Sequence, residues 1–243
     1  MIKKFYSWVK RASRIVGLGL LCSALVIRLE IIPWRDYITA QAVEALGGVK
    51  HEIPRERIPS LTHTIDHIIL RFQLAEPDMA KKVSRIYVID SFDANAFALP
   101  NGDIVITLGI LARARTIDHI AGVVGHEVSH LLQDHYGKQL VLSTGLLGLA
   151  CFAFGSAGVI SLPILAPVYY FTVQFMHRQR EYDADENSVR LLAASGFNPN
   201  SFGTFLGVQM ARGYQYHPPL DDLKELTSSH PIIYKRALRV LSN

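Results

Sequence analysis

The stretch from Val123 to Asp134 reads VVGHEVSHLLQD, and its apolar residues Val123, Val124, Val128, Leu131 and Leu132 recur at helical spacing. At about 100° per residue, His126 and His130 stand roughly 40° apart on one face, one turn from each other, so both imidazoles can reach one ion. Glu127 stands beside that face. A carboxylate there can take the proton of a metal-bound water and hand it on to a leaving amine. Two histidines and a glutamate in an otherwise apolar helix are costly to bury unless they are paired or ligated, and no lysine or arginine lies within a helical turn of them. The spacing therefore points to metal-assisted hydrolysis.

The chain has 243 residues, of which 49% are hydrophobic, and a mean hydropathy of +0.20. It is long enough for one domain with a full core and too apolar for an ordinary soluble enzyme, so a membrane is an expected partner. The net charge is +4, but Lys3, Lys4, Lys10, Arg11 and Arg14 crowd the first fourteen residues and leave the remainder close to neutral. With no aromatic-interleaved basic patch and no glycine-rich phosphate loop, no nucleic-acid partner is expected. Cys22 and Cys151 lie in apolar runs without CxxC spacing and read as buried thiols.

Residues 1–35 form a basic stretch followed by the thirteen-residue run Ile15 to Ile27, then Arg28, Glu30 and Pro33. A span needs about 20 apolar residues, so this is a signal-type segment or a short anchor. An uncleaved anchor, cleavage after Ala24 and a mitochondrial presequence all fit, and all place the remainder, residues 36–243, across or against a membrane.

Further along, Ile38 to Leu46 and Ile58 to Phe72 read as amphipathic helices. His63 and His67 on the second are four apart, but no acid follows in a hydrolytic position, and an exposed helix face accounts for both. Arg85 to Asp90 reads as a strand, and Asn95 to Leu99, then Pro100-Asn101-Gly102-Asp103, then Ile104 to Leu108 read as a hairpin with an Asn-Gly turn. Its second arm is expected to expose an edge that pairs with an extended peptide, which makes Asn95, Ile104, Val105, Ile106 and Thr107 candidate substrate-binding residues.

NAFALPNGDIVITLGIL, then HEVSH, then REYDADENSVRLLAASGFNP and finally SSHPIIYKRA occur in an order that resembles M48-type zinc metallopeptidases, including compact bacterial periplasmic members and a mitochondrial inner-membrane relative. The resemblance implies one Zn²⁺ held by His126, His130 and Glu181, with Asp185 supporting a ligand imidazole. Two neutral imidazoles and one carboxylate would leave an open fourth position for water, the catalytic pattern for zinc. Asp185, one turn after Glu181, can accept the free N–H of a ligand histidine. His230 matches a further family histidine, either as an oxyanion donor or as a fourth ligand that keeps the enzyme latent. Arg236 falls where the family has an arginine, although a surface cation would read the same way. His135, about 140° past His130 on one continuous helix, is expected to point away from the ion.

The uncharged tract at 140–176 is expected to fold as a buried or membrane-surface helical pair, broken into short pieces by its Gly, Ser and Pro residues. The fold expected is α+β, mainly helical and zincin-like, with a small sheet edge beside the HExxH helix. The function expected is a zinc endopeptidase acting on misfolded or membrane-associated polypeptides, at a bacterial inner membrane facing the periplasm or at a mitochondrial inner membrane. A zinc-dependent chaperone or binding module of weak or no catalysis is the alternative class, and retention of Glu127 is the feature that speaks against it.

Overall fold

The computed structural model describes residues 2–45, 52–211 and 233–242, with backbone alone over 154–168. Its elements in chain order are helices α1 (Ile2–Arg28), α2 (Trp34–Ala45), α3 (Pro59–Ala75) and α4 (Met79–Lys82), strands β1 (Ile86–Ile89), β2 (Ala96–Ala98) and β3 (Ile104–Thr107), and helices α5 (Leu108–Leu111), α6 (Ile117–Leu132), α7 (His135–Ala194), α8 (Ser201–Ala211) and α9 (Ile233–Ser242). The architecture is mainly helical with one three-stranded sheet, as the patterning implies.

Helix α6 is the axis of the fold. Thr116 caps its N-terminus by accepting the His119 N–H, and from Ala121 to Ser129 every residue is buried. A helix enclosed on all sides needs small residues where neighbours cross. A Cβ at Gly122 would meet the Phe202 N of α8 at 2.8 Å, and one at Gly125 would meet the Ser188 Oγ of α7 at 3.1 Å. Ile65, Ile68 and Phe72 of α3, the buried residues of the sheet, and Val124 and Val128 of α6 make one continuous apolar core.

The strand order is β1-β3-β2, with β3 parallel to β1 and antiparallel to β2. Ile104 to Thr107 is therefore the central strand, buried at all four positions and hydrogen-bonded on both sides. This corrects the expectation that these residues offer a free edge. The run is apolar and β-branched on both faces because it is covered on both faces, which is the pattern of an interior strand. The edge strand is β2, and its outer side meets Glu127 of α6 at Ala98. Thr107 N–H donates to Asn95 O and Leu99 N–H to Asp103 O, so residues 95, 97 and 99 turn their backbone polar groups toward β3. By alternation, those of Ala96 and Ala98 face outward. The backbone of Asn95 is committed to β3, while its side chain is exposed.

Helical backbone runs through α7 from His135 to Ala194, but it is not one straight rod. It does double back, because Tyr169 Oη donates to Ser143 O at 3.4 Å, whereas a straight helix would hold residues 26 apart at about 39 Å. The returning arm brings Glu181 to α6. Against the outgoing arm lies α1, so closely that a Cβ at Gly148 would meet Leu21 N at 2.9 Å, and Ser13 Oγ donates to Cys151 O at 3.1 Å. Cys22 is exposed rather than buried, and Cys151 partly so. Among the described residues no helix is long and apolar enough to cross a membrane.

Candidate metal centre and active site

His126 and His130 of α6 and Glu181 of α7 offer one ligand atom each, all within 4.8 Å of one another. The two Nε2 atoms are 3.1 Å apart, and Glu181 stands 3.7 Å from His126 and 3.4 Å from His130. All three side chains are largely buried, so the polar atoms converge on a space walled from bulk water.

Behind His126, Nδ1 meets Asp185 Oδ1 at 3.0 Å, while Nε2 faces the cluster with Arg236 Nη2 3.1 Å from it. Arg236 braces the acids from α9. Its Nε and Nη2 donate to the two oxygens of Asp185 at 3.0 and 2.8 Å, and Nη1 lies 3.1 Å from Glu181. Arg236 is thus buried at the site and is not a surface cation. Burial alone would raise the Asp185 carboxyl, but Arg236 and His126 outweigh it and hold the group below the usual carboxylate range. Burial and Arg236 oppose a proton on His126, yet its bonds to Asp185 and Glu181 carry it up to about 9. The face of the Phe202 ring stacks on His126 with centroids 4.7 Å apart, fixing the imidazole plane.

Behind His130 the partner is His135, at 2.9 Å between the two Nδ1 atoms. His135 is buried and close, contrary to the expectation that it points away. That expectation assumed one continuous helix, whereas α6 stops at Leu132 and Asp134 takes φ +51, so α7 restarts in a new direction. The signal was present in the sequence: Asp134, three before Gly137, is a helix cap, and its side chain accepts the Gly137 N–H. Burial, with Arg180 and Lys138, drives His135 down to about 4, so it is neutral.

Glu127 lies beside the ligands with Oε2 accepting the Ala98 N–H at 2.8 Å. Burial pushes its carboxyl up to about 7, with Glu181 adding to the rise, against His126, the Ala98 amide and Arg236. That value suits a group that takes and returns a proton near neutrality. The Ala98 amide had no sequence signal, since the nearness of β2 to α6 is a long-range contact. A cavity of about 280 Å³ adjoins His130 and is lined among others by Lys82, Asn101 and Tyr136. His230 lies outside the described residues.

These residues suit a divalent cation. Three buried carboxyl groups, on Glu127, Glu181 and Asp185, face one buried guanidinium, and the proton that His126 holds up to about 9 supplies positive charge that a divalent cation would replace. The donor set of two imidazoles and a carboxylate is that of catalytic zinc sites.

The comparisons with known proteins agree with this geometry. The chain is 28% identical to the beta-barrel assembly-enhancing protease of Escherichia coli (strain K12) over 187 residues, 72% of this chain and 37% of that protein. It is 25% identical to the mitochondrial metalloendopeptidase OMA1 of Schizosaccharomyces pombe over 212 residues, 84% of this chain and 60% of the relative. It thus spans less than two thirds of either relative's length. The crystal structure of S. mikatae Ste24p shares the fold, with a TM-score of 0.53 at 17% identity, over 98% of this chain and 65% of that one. The profile of peptidase family M48 matches residues 59–242, which include all four residues His126, Glu127, His130 and Glu181, and the chain belongs to that family.

Proposed function

We propose that the chain is a zinc-dependent endopeptidase that hydrolyses peptide bonds of unfolded or membrane-associated polypeptides. The observation that carries the reading is the convergence of His126, His130 and Glu181 within 4.8 Å, beside a buried Glu127 held by a strand-edge amide. Zinc held by these three side chains supplies the Lewis acidity that makes water nucleophilic near neutral pH. Glu127 takes the proton of the attacking water and delivers it to the nitrogen of the departing amine, a round trip that a carboxyl near 7 makes with little penalty either way. Asp185 and Arg236 hold His126, and Arg236 also holds Glu181, so the ligand atoms do not reorganise as charge develops.

The seat for substrate is the outer edge of β2 at Ala96, two residues before the Ala98 amide that Glu127 occupies. An extended peptide added there as a further strand lies alongside Glu127, and Asn95 flanks that edge. Because main-chain bonds do not read side chains, this seat suits unfolded chains of varied sequence. We assign His230, six positions before Arg236, to the oxyanion of the tetrahedral intermediate.

The reading extends to a membrane setting in protein quality control, at a bacterial inner membrane with the catalytic part facing the periplasm, or at the inner membrane of a mitochondrion. Its support is the basic start of α1, together with the exposed Phe5, Trp8, Ile15 and Leu18 on that helix and Phe152, Phe171 and Phe175 on α7.

Glu127→Gln tests the chemistry. It keeps the size of the side chain and both histidines, so zinc content should stay near one per chain while cleavage of casein falls by about three orders of magnitude or more. Retained turnover would sink the mechanism.

A further inference from the structure

We infer that a one-way hydrogen-bond relay, from the Asp183 carbonyl through Gln133 and His135 to His130, sets the ring form in which His130 serves as a ligand, with His135 as the positioning residue. The inference rests on the zinc reading of the site.

The direction of every bond in the relay is forced. It begins at Asp183 O, a backbone carbonyl that can only accept, two residues past Glu181 on α7. Gln133 Nε2 donates to it at 3.3 Å, which fixes which end of the amide faces which way. The other end, Oε1, lies 3.1 Å from His135 Nε2, and an amide oxygen only accepts, so the proton of neutral His135 is on Nε2. His135 Nδ1 is then a lone pair. It stands 2.9 Å from His130 Nδ1, which must therefore carry the His130 proton. What remains on His130 is the lone pair at Nε2, the atom 3.1 Å from His126 Nε2 and 3.4 Å from Glu181. Were His130 protonated at Nε2 instead, two lone pairs would oppose each other at 2.9 Å and the ligand nitrogen would be blocked.

The relay also joins the two ligand-bearing elements. Gln133 follows the last turn of α6, and Asp183 is on the turn of α7 that carries Glu181, so the bonds that orient His130 hold the third ligand's backbone in register with it. His126 is backed by a charged carboxylate and His130 by a neutral chain, so the site gains orientation at its second histidine without a fourth buried acid.

A packing role for His135 and a relay role make opposite predictions for two full-length variants. His135→Phe keeps an aromatic ring and loses the acceptor, whereas His135→Asn loses the ring and can place Oδ1 where Nδ1 stood. The relay predicts that zinc affinity, read by competition with a chromophoric chelator, weakens about 10–100-fold in the Phe variant and less than about threefold in the Asn variant. Long-range proton–nitrogen NMR of the zinc-loaded parent should show His130 protonated at Nδ1 and metallated at Nε2. Should His135→Phe disturb folding, Gln133→Leu leaves His135 in place and should weaken affinity in the same direction. A Phe variant that binds zinc as tightly as the parent or more tightly than the Asn variant, or metallation of His130 through Nδ1, overturns the relay. A parent that binds no zinc overturns the reading beneath it as well, which keeps the two failures distinct.

Discussion

Around α6, side chains that water would welcome are enclosed, with Asp185 only 1% exposed and Glu127 only 9%. Along α1, side chains that water would reject stand open, with Trp8 at 66% and Ile15 at 71%. In the first region the buried groups of the site have partners: Asp185 has Arg236 and His126, Glu127 the Ala98 amide, and His130 has His135. Such groups are costly to enclose and persist because their partners are in place. In the second region, α1 lies against the arms of α7 in close backbone contact such as that of Gly17 with Gly148, and leaves its aromatic residues outward. One region is enclosed and the other open, and α7 belongs to both.

The most disruptive way to break the enclosed region is Glu181→Ala. It removes one of three ligand side chains and also a partner of Arg236, so two effects act together. Zinc retained after dialysis should fall well below one per chain and peptide cleavage should be lost, while the near-ultraviolet circular dichroism of the body stays native. If Glu181→Ala held zinc as firmly as the parent, the third ligand would have to be another acid, with Asp185 next.

The open region is separable from the body if it is held only by fit. Gly148→Leu places a side chain where even a Cβ is 2.9 Å from Leu21 N, so α1 must shift. Overpacking of this kind costs about 1–3 kcal/mol. Trypsin should nick Lys10, Arg11 and Arg14 several-fold faster, with zinc content unchanged. A fall in zinc content alongside the nicking would mean that the α7 arms transmit strain to Glu181, and the two regions would have to be treated as one.

How far these regions could be read from the sequence depended on the range of the contacts involved. The α6 helix and its facing histidines follow from periodicity within sixteen residues, and the hairpin follows from its Asn-Gly turn. The membership of Glu181 and Asp185 came through resemblance and their one-turn spacing. Which strand is central did not come through, because the parallel pairing of β1 with β3 is decided by the whole core, although the unbroken Ile104-Val105-Ile106 run already argued for burial on both faces. Arg236 meets His126 across 110 residues, a contact that no local pattern encodes. His135 was misplaced by a rule applied past its range, since helical angles hold only until a helix ends, and this one ends at Leu132, three residues before it, with Asp134 turning the chain.

The finest probe of the comparison is Arg35, which sits where the two regions meet. Its guanidinium donates to Glu30 Oε1 at 2.9 and 2.7 Å, to Asp134 Oδ1 at 2.9 Å and to Pro100 O at 3.3 Å, and it stacks over Trp34 at 4.4 Å. One side chain thereby ties the joint between α1 and α2, the α6–α7 joint and the β2–β3 turn. Because Arg35 and its acid partners are all partly open to water, screening limits the worth of the pairs, and Arg35→Ala should cost about 1 kcal/mol of stability, read as a small drop in the thermal midpoint. The loss should shrink in high salt, where the parent's pairs are already weakened. A double-mutant cycle with Asp134→Asn isolates the part that bridges the regions, and a coupling of about 0.2–1 kcal/mol is expected. Zero coupling would leave Arg35 a local clamp on Glu30 alone, and the enclosed and open regions would then be joined only through the continuous backbone of α7 and the fit of α1 against it.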